Sequence, residues 1–195
     1  MKEIVSTSRC YECGGVMEGR KGEYKYTECG LNSVKLKDIL VYHCVQCNAV
    51  VPEIPAAGVL HRLIARRIVN KKNSLTGSEI RFLRKVCGYS VNDFAAMLGS
   101  RKDVIYRFER EGCGKENDRL IRLLVIAKFT RELAGQPEKI LRNVSIEELN
   151  GELENTFKLL EGRGRTIQQY EISPEEISKY SGVGENLPEP ELAVH

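Results

Sequence analysis

Two C-x-x-C pairs are the feature that most restricts what this chain can fold into. Cys10 and Cys13 form the first pair, and Cys44 and Cys47 form the second. Each pair can present two thiolates from one backbone turn, so two pairs complete the tetrahedral four-sulfur shell that Zn²⁺ prefers. A segment of about 45 residues buries too little apolar surface to fold alone. We therefore predict a zinc site whose metal supplies much of the folding free energy of this segment.

Short β-strands are predicted between the two pairs, at residues 23–27, 33–37 and 39–43, where β-branched or alternating side chains are separated by turn-like sequences. We predict a small zinc-bound β module over residues 1–55. Four cysteines leave no coordination position open, and no paired acid and base accompany them, so the zinc is predicted to be structural. The chain is accordingly predicted not to be an enzyme.

The other cysteines and one histidine complete the list of thiophilic ligands. Cys87 follows an apolar helical face and is predicted to be buried, whereas Cys29 and Cys113 fall in predicted turns and are expected to be exposed. His43 is an alternative metal ligand, although neighbouring strand residues alternate faces, so its side chain is expected to point away from that of Cys44.

The cellular location follows from what the sequence lacks. No apolar run approaches the length of a membrane span, and MKEIVSTSRC has no apolar core of a secretory signal. We expect a cytoplasmic protein with no membrane partner. In that compartment thiols bind metal or stay reduced rather than form disulfides.

The stretch SVNDFAAMLGSRKDVIYRFERE, residues 90–111, predicts two short helices that cross through a tight turn. Ala95 is small where the helices approach, and Gly99 can adopt the positive backbone angle of the turn. Ile105 and Phe108 lie on one helical face and are predicted to point into the core. An ordinary helical hairpin with a solvated charged face is the alternative interpretation.

The opposite face of the second helix is predicted to contact phosphates and base edges in the major groove of DNA. It carries Arg101, Lys102, Asp103, Tyr106, Arg107 and Arg110. The charge distribution agrees, because residues 61–122 contain 15 basic and 7 acidic side chains although the whole chain has a net charge of only +3. A basic region of this kind is typical of a module that binds a polyanion.

Helices are predicted on both sides of this stretch. A connecting helix over residues 56–74 carries Arg62, Arg66, Arg67, Lys71 and Lys72, which either contact phosphates or are simply solvated. Thr76 and Glu79 form a predicted capping box at the start of the DNA-binding domain, residues 75–134. A last helix is predicted over 117–133, with apolar residues at Leu120, Leu123, Leu124, Ala127 and Leu133. Its excess apolar surface fits either a dimer contact or a fully buried helix.

The C-terminal extension, residues 135–195, is acidic and partly helical by pattern. It is predicted to contain an amphipathic helix over 145–160, a strand over 167–172 and a helical turn that starts at Ser173. Three roles stay open for it: binding a partner, swapping onto a dimer mate, or lying on the surface.

These motifs together resemble the MqsA-type (YgiT-type zinc-finger) antitoxins and the wider Xre class of zinc-finger helix-turn-helix regulators. The resemblance covers roughly residues 8–134. It rests on the four cysteines, YKYTECGLNSVKLKDILVYHC between them, LTGSEIRFLRK and LGSRKDVIYRFERE. It implies a structural zinc, a helix-turn-helix that forms a homodimer, and repression of the chain's own operon at a palindromic operator. In the antitoxin branch, it also implies that the zinc domain sequesters a ribonuclease toxin.

Two positions of the second helix differ in how well they match the antitoxin family. Arg107 falls where the antitoxin has a base-reading arginine, whereas Asp103 falls where the antitoxin has an asparagine. An aspartate accepts from cytosine N4 but cannot pair with adenine as an asparagine does, so the operator sequence does not transfer. The extension after residue 135 also departs from the short antitoxin, which weakens the implied toxin partner.

We therefore predict an α+β chain: a zinc-bound β module, then an all-α Xre-type helix-turn-helix domain, then the acidic extension. The leading hypothesis is a dimeric transcriptional repressor that binds double-stranded DNA. The alternative is an interaction protein whose main role is to neutralise a toxin through the zinc module. Binding of single-stranded RNA is disfavoured because residues 1–60 carry 7 basic and 7 acidic side chains, which provides no basic groove.

Overall fold

The computed structural model describes residues 4–134 and 169–181. The chain is of mixed α+β class, with an antiparallel sheet followed by helices. Its strands are β1 (Ser6–Arg9), β2 (Val16–Lys25), β3 (Val34–Cys44), β4 (Val50–Pro52) and β5 (Tyr170–Ile172). Its helices are α1 (Ala57–Val69), α2 (Gly77–Val86), α3 (Val91–Met97), α4 (Lys102–Glu111), α5 (Lys115–Ala134) and α6 (Pro174–Ser181). Within these ranges, no helix is both long and apolar enough to cross a membrane.

The sheet has the order β1-β2-β3-β4 with antiparallel pairing, and β5 joins β3 in parallel. The predicted strands 33–37 and 39–43 are one strand, β3, so the predicted break at residue 38 was wrong. Asp38 takes a left-handed conformation, and the register with β2 shifts between Gly22 and Tyr24. The chain therefore makes a bulge and resumes pairing with the same partner strand instead of turning away.

The main hydrophobic core joins the sheet to the helices. Leu36 and Ile39 of β3 belong to the same buried cluster as Ile64 of α1. Tyr26 and His61 strengthen this junction, because the tyrosine hydroxyl and the histidine Nε2 are 2.9 Å apart and the two rings stack. The core thus crosses the predicted boundary between residues 55 and 56. The division into domains stays a prediction.

Helices α2, α3 and α4 are fixed by local signals. The predicted capping box at Thr76 and Glu79 is confirmed, and Ser90 with Asp93 forms a second one at the start of α3. Gly77 lies against the last turn of α4, where any side chain would collide with the backbone carbonyl of Glu109. Such close approach needs glycine and holds α2 directly against α4.

The orientation of helix α5 does not follow from its apolar residues alone. Leu120 is 39% exposed and Ala127 is exposed, whereas the buried face carries Ile121, Val125 and Ile126. Apolar residues occur on all sides of this helix, so the sequence pattern does not define one inward face. The orientation is set instead by Arg122, a fully buried charged residue.

The guanidinium of Arg122 organises the connector between α1 and α2. It donates to the carbonyls of Val69 (2.8 Å), Lys71 (2.7 Å) and Asn73 (2.7 Å). Its Nε also donates to Asp118 at 2.7 Å, and Asp118 in turn accepts the backbone N–H of Leu75. One buried ion pair therefore fixes the path of the chain from Val69 to Leu75.

Lys71 is not available for phosphate contacts. Its side chain is fully buried, and its Nζ donates to Glu79 Oε2 at 2.6 Å. The prediction that Lys71 lies on a solvent face of the connecting helix was wrong. Helix α1 ends at Val69, so Lys71 belongs to the connector, which turns it inward towards the capping box of α2.

Part of the acidic extension completes the fold. Tyr170, Ile172 and Ile177 of β5 and α6 are buried in the main core. The predicted strand over 167–172 includes β5, and the predicted helical start at Ser173 is followed by α6. The alternative that the extension only lies on the surface is therefore wrong for these residues. The helix predicted over 145–160 lies outside the described residues.

We expect Arg122→Leu to lower the free energy of unfolding by about 3–5 kcal/mol, because it leaves a buried carboxylate and three carbonyls without their donor. Chemical denaturation checks this. The exposed Arg119, on the same helix, provides the control, and Arg119→Leu is expected to cost about 1 kcal/mol or less. Equal losses for the two variants would show that the buried network does not fix the connector.

Candidate metal centre and candidate nucleic-acid interface

The first cysteine pair lies on a tight turn between β1 and β2. The Cys10 N–H donates to the Gly15 carbonyl at 2.8 Å, and the Gly14 N–H donates to the Cys10 carbonyl at 2.9 Å. Gly14 takes a left-handed conformation, with φ of 73°, that a side chain would strain. The turn thereby brings the Cys10 and Cys13 side chains to the same end of the sheet.

The second pair lies on a matching turn at the end of β3. The Cys44 N–H donates to the Ala49 carbonyl at 2.9 Å, and Asn48 takes the left-handed conformation. Antiparallel pairing places Met17 of β2 directly opposite Cys44, which brings the two turns together. Cys10, Met17 and Cys44 form a small buried cluster, so one cysteine of each pair is packed against Met17.

The four sulfur atoms lie within 4.8 Å of one another. Two of the distances, Cys10 to Cys47 and Cys13 to Cys44, are 3.5 Å. A Zn–S bond of about 2.3 Å requires tetrahedral sulfurs to be about 3.8 Å apart. The predicted quartet is therefore brought together with separations that fit a metal ion, and His43 on the exposed side of β3 is not part of it.

Backbone N–H groups favour the thiolate form of one cysteine in this cluster, Cys44. The N–H groups of Cys47 and Gln46 lower the pKa of Cys44 to about 6. For Cys47, the backbone N–H of Ala49 lowers the pKa, but burial and the neighbouring thiols outweigh it and raise the pKa to about 12. A metal that binds all four sulfurs must displace such protons, so its affinity is expected to increase with pH.

The remaining cysteines take no part in this cluster. Cys87 is buried, as predicted. Cys113 is also buried, so its expected exposure was wrong: the chain turns inward after Gly112 and carries the thiol into the main core. Cys29 is half-buried, and burial raises the pKa of its thiol to about 11.

Six polar side chains of the candidate nucleic-acid interface are exposed together on α4 and its first flanking residue: Arg101, Lys102, Asp103, Tyr106, Arg107 and Arg110. Ile105 and Phe108 are buried on the opposite side, as predicted. The helix is therefore strongly two-sided, with a polar face available for a ligand.

The turn that precedes α4 has the expected features. Gly99 takes a left-handed conformation with φ of 57°, and Ala95 is buried where the helices approach. The Ser100 N–H donates to the Ala95 carbonyl at 2.8 Å, which closes the turn. Arg84 of α2 pairs with Glu109 on the buried side of α4 and fixes the far end of the helix. Sequence patterns did not reveal this last pair.

Charges on the polar face are partly paired with each other. Arg101 donates to Asp103 at 3.2 Å, and Arg110 donates to Glu111 at 2.7 Å. All four side chains are more than half exposed, so these pairs contribute little to stability and can exchange for a ligand. Arg67 of α1 differs, because it binds Glu176 of α6 and the Glu171 carbonyl.

Comparison with known proteins identifies no relative that could assign a role to either site. No family model matches the chain, and neither the curated proteins nor the solved structures contain a match to it.

We expect Cys47→Ser to reduce the metal content of the purified protein well below one ion per chain, because serine is a poor ligand for a thiophilic metal. Elemental analysis of the protein measures this. Cys29→Ser is the matched control, since Cys29 lies outside the cluster, and it should keep the metal content unchanged. Equal metal content in both variants would contradict a four-cysteine site.

Proposed function

We propose that this chain is a sequence-specific DNA-binding regulator of transcription with a structural Zn²⁺ in its sheet module. The observation that carries the proposal is the two-sided α4, whose exposed face groups four basic side chains with Tyr106 while its other face is buried. A helix fixed in this way can enter the major groove without unfolding any part of the core.

The roles of the α4 residues follow from their chemistry. Arg107 projects from the middle of the polar face and can donate two hydrogen bonds to a guanine edge. Arg110, nearer the end of the helix, and Lys102, at its start, are suited to phosphates. Asp103 is expected to accept a hydrogen bond from cytosine N4, with Arg101 beside it to offset the repulsion of the DNA backbone.

The metal is assigned a structural role. Four thiolates fill a tetrahedral shell and suit Zn²⁺ best, although iron also binds such a set. The resemblance to MqsA-type antitoxins suggests the biological context, which is autorepression by a homodimer at a palindromic operator. A dimer of this kind reads two half-sites about one helical turn apart.

The test is a fluorescence-anisotropy titration against the DNA upstream of the chain's own gene and against a scrambled duplex. We expect salt-dependent binding that prefers the upstream DNA. Arg107→Ala should weaken that binding by about 5- to 150-fold, because a base-reading pair is worth about 1–3 kcal/mol, and should relax one base position.

Lys21→Ala provides the control for this titration. It removes the same charge from an exposed position on β2, away from α4, and should leave both affinities nearly unchanged. Equal, weak binding of the wild-type protein to the two duplexes would show that the polar face of α4 does not read DNA sequence.

A second candidate function is capture of a toxin partner by the sheet module. Six of the large apolar side chains that are exposed in the described residues lie in the first 50 positions: Ile4, Val5, Tyr11, Val16, Val45 and Val50. Tyr11 (75% exposed) and Val45 (60% exposed) lie on the two cysteine turns. An exposed apolar surface formed by such side chains together would be typical of a protein-binding site.

Co-expression with the product of a neighbouring open reading frame tests this candidate. We expect the double variant Tyr11→Ala and Val45→Ala to lose a co-purified partner while it keeps its metal, because both side chains lie beside the cysteines without being ligands. Met97→Ala removes an apolar side chain that is 45% exposed from α3, away from the sheet module, and should retain the partner. Retention by both variants would exclude the patch as the binding surface.

A further inference from the structure

Strand β5 inserts a tyrosine from the far end of the chain beneath the helices. β5 pairs in parallel with the first residues of β3, with Tyr170 opposite Val34 and Ile172 opposite Leu36. The Tyr170 side chain is only 1% exposed. Its hydroxyl donates to Glu79 Oε1 at 2.7 Å, so a residue of the acidic extension contacts the capping box of α2.

Glu79 is the point where several parts of the fold meet. Its Oε2 accepts the Thr76 N–H at 2.7 Å and the Lys71 ammonium at 2.6 Å, while its Oε1 accepts from Tyr170. Burial, and then the Glu79 carboxylate, raise the pKa of the Tyr170 phenol. The phenol therefore remains a donor throughout the physiological pH range, and it satisfies a carboxylate oxygen that is shielded from water.

The same end of α2 lies directly on α4. Gly77, the first residue of α2, packs against the backbone of Glu109 in the last turn of α4. Arg84, further along α2, pairs with the side chain of Glu109. A continuous series of contacts thus runs from Tyr170 through Glu79 and α2 to the helix that carries the polar face.

The docked segment, residues 169–181, is short. β5 has three residues, and the surface contacts of the segment include ion pairs of Glu171 with Lys37 and of Glu176 with Arg67. These pairs are partly exposed and individually weak. A short edge strand held in this way is the kind of element that opens locally while the rest of the fold stays intact.

We propose that Tyr170 is a positioning residue for DNA recognition: by holding Glu79 it fixes α2, and through α2 it fixes the orientation of α4. This inference rests on the DNA-binding function proposed above. By thermodynamic reciprocity, docking of β5 strengthens DNA binding, and DNA binding strengthens the docking of β5.

Tyr170→Phe tests the inference because it removes only the hydroxyl. We expect the affinity for the upstream DNA to decrease by about 2- to 30-fold, the range that coupling through a packed network produces. Affinity for the scrambled duplex should stay unchanged, because contacts to phosphates tolerate small changes in helix orientation. Tyr24→Phe is the matched control, since it removes a tyrosine hydroxyl that donates to a carboxylate, that of Glu28, away from β5 and Glu79, and it should retain the preference.

A purely structural role for Tyr170 gives a different result. The variant would then lose thermal stability but keep the wild-type ratio of the two affinities at a temperature where it is folded, which would overturn the inference. If wild-type protein and Arg107→Ala show no preference for the upstream DNA, the proposed function fails, and the inference fails with it. A preference that depends on Arg107 but not on Tyr170 overturns the inference alone.

Hydrogen exchange of the wild-type protein gives a test that needs no variant. Saturating upstream DNA should slow exchange of the amides of residues 170–172, although these lie on the sheet and not on α4. An equal concentration of scrambled duplex should slow them less. Unchanged exchange of β5, with slower exchange in α4, would show that the two elements are not coupled.

Discussion

The arrangement of α1 relative to α2 depends on the hydrogen bonds and the ion pair that the buried guanidinium of Arg122 makes. An isolated buried charge is strongly unfavourable, and here Asp118 and three backbone carbonyls compensate for it. Those carbonyls belong to the end of α1 and to the connector that leads from α1 into α2. By fixing that segment, Arg122 determines where the capping box lies, and with it how α2 meets both β5 and α4.

Local patterns were sufficient to predict the elements that depend on neighbours in sequence. The cysteine turns, the capping box at Thr76 and the buried face of α4 all follow from spacings of a few residues, and the structure contains each of them. The position of Lys71 was predicted wrongly, and the buried face of α5 was not predicted at all. Both depend on buried ion pairs, and the partners of an ion pair are set by tertiary packing rather than by periodicity.

The pairing within the sheet was also not predictable from local sequence patterns. A bulge at Asp38 looks like a turn in the sequence, because the residues that identify a bulge lie on the partner strand. The parallel pairing of β5 with β3 joins positions more than 130 residues apart. No local pattern specifies such a pair, although the strand itself was predictable. The exposed face of α4 was predictable from its amphipathic pattern, but the residues that hold α4 in place were not.

Strand β3 is completed at its two ends by very different means: by cysteines at Cys44 and by a late segment at Val34–Leu36. During translation, residue 170 leaves the ribosome about 2–7 s after residue 134, at about 5–20 residues per second. Until then Glu79 lacks the tyrosine hydroxyl that donates to it, and the first residues of β3 lack their parallel partner strand. The nascent protein thus passes through a period in which this strand edge is unpaired, and an unpaired strand edge is the kind of surface that can pair with another chain.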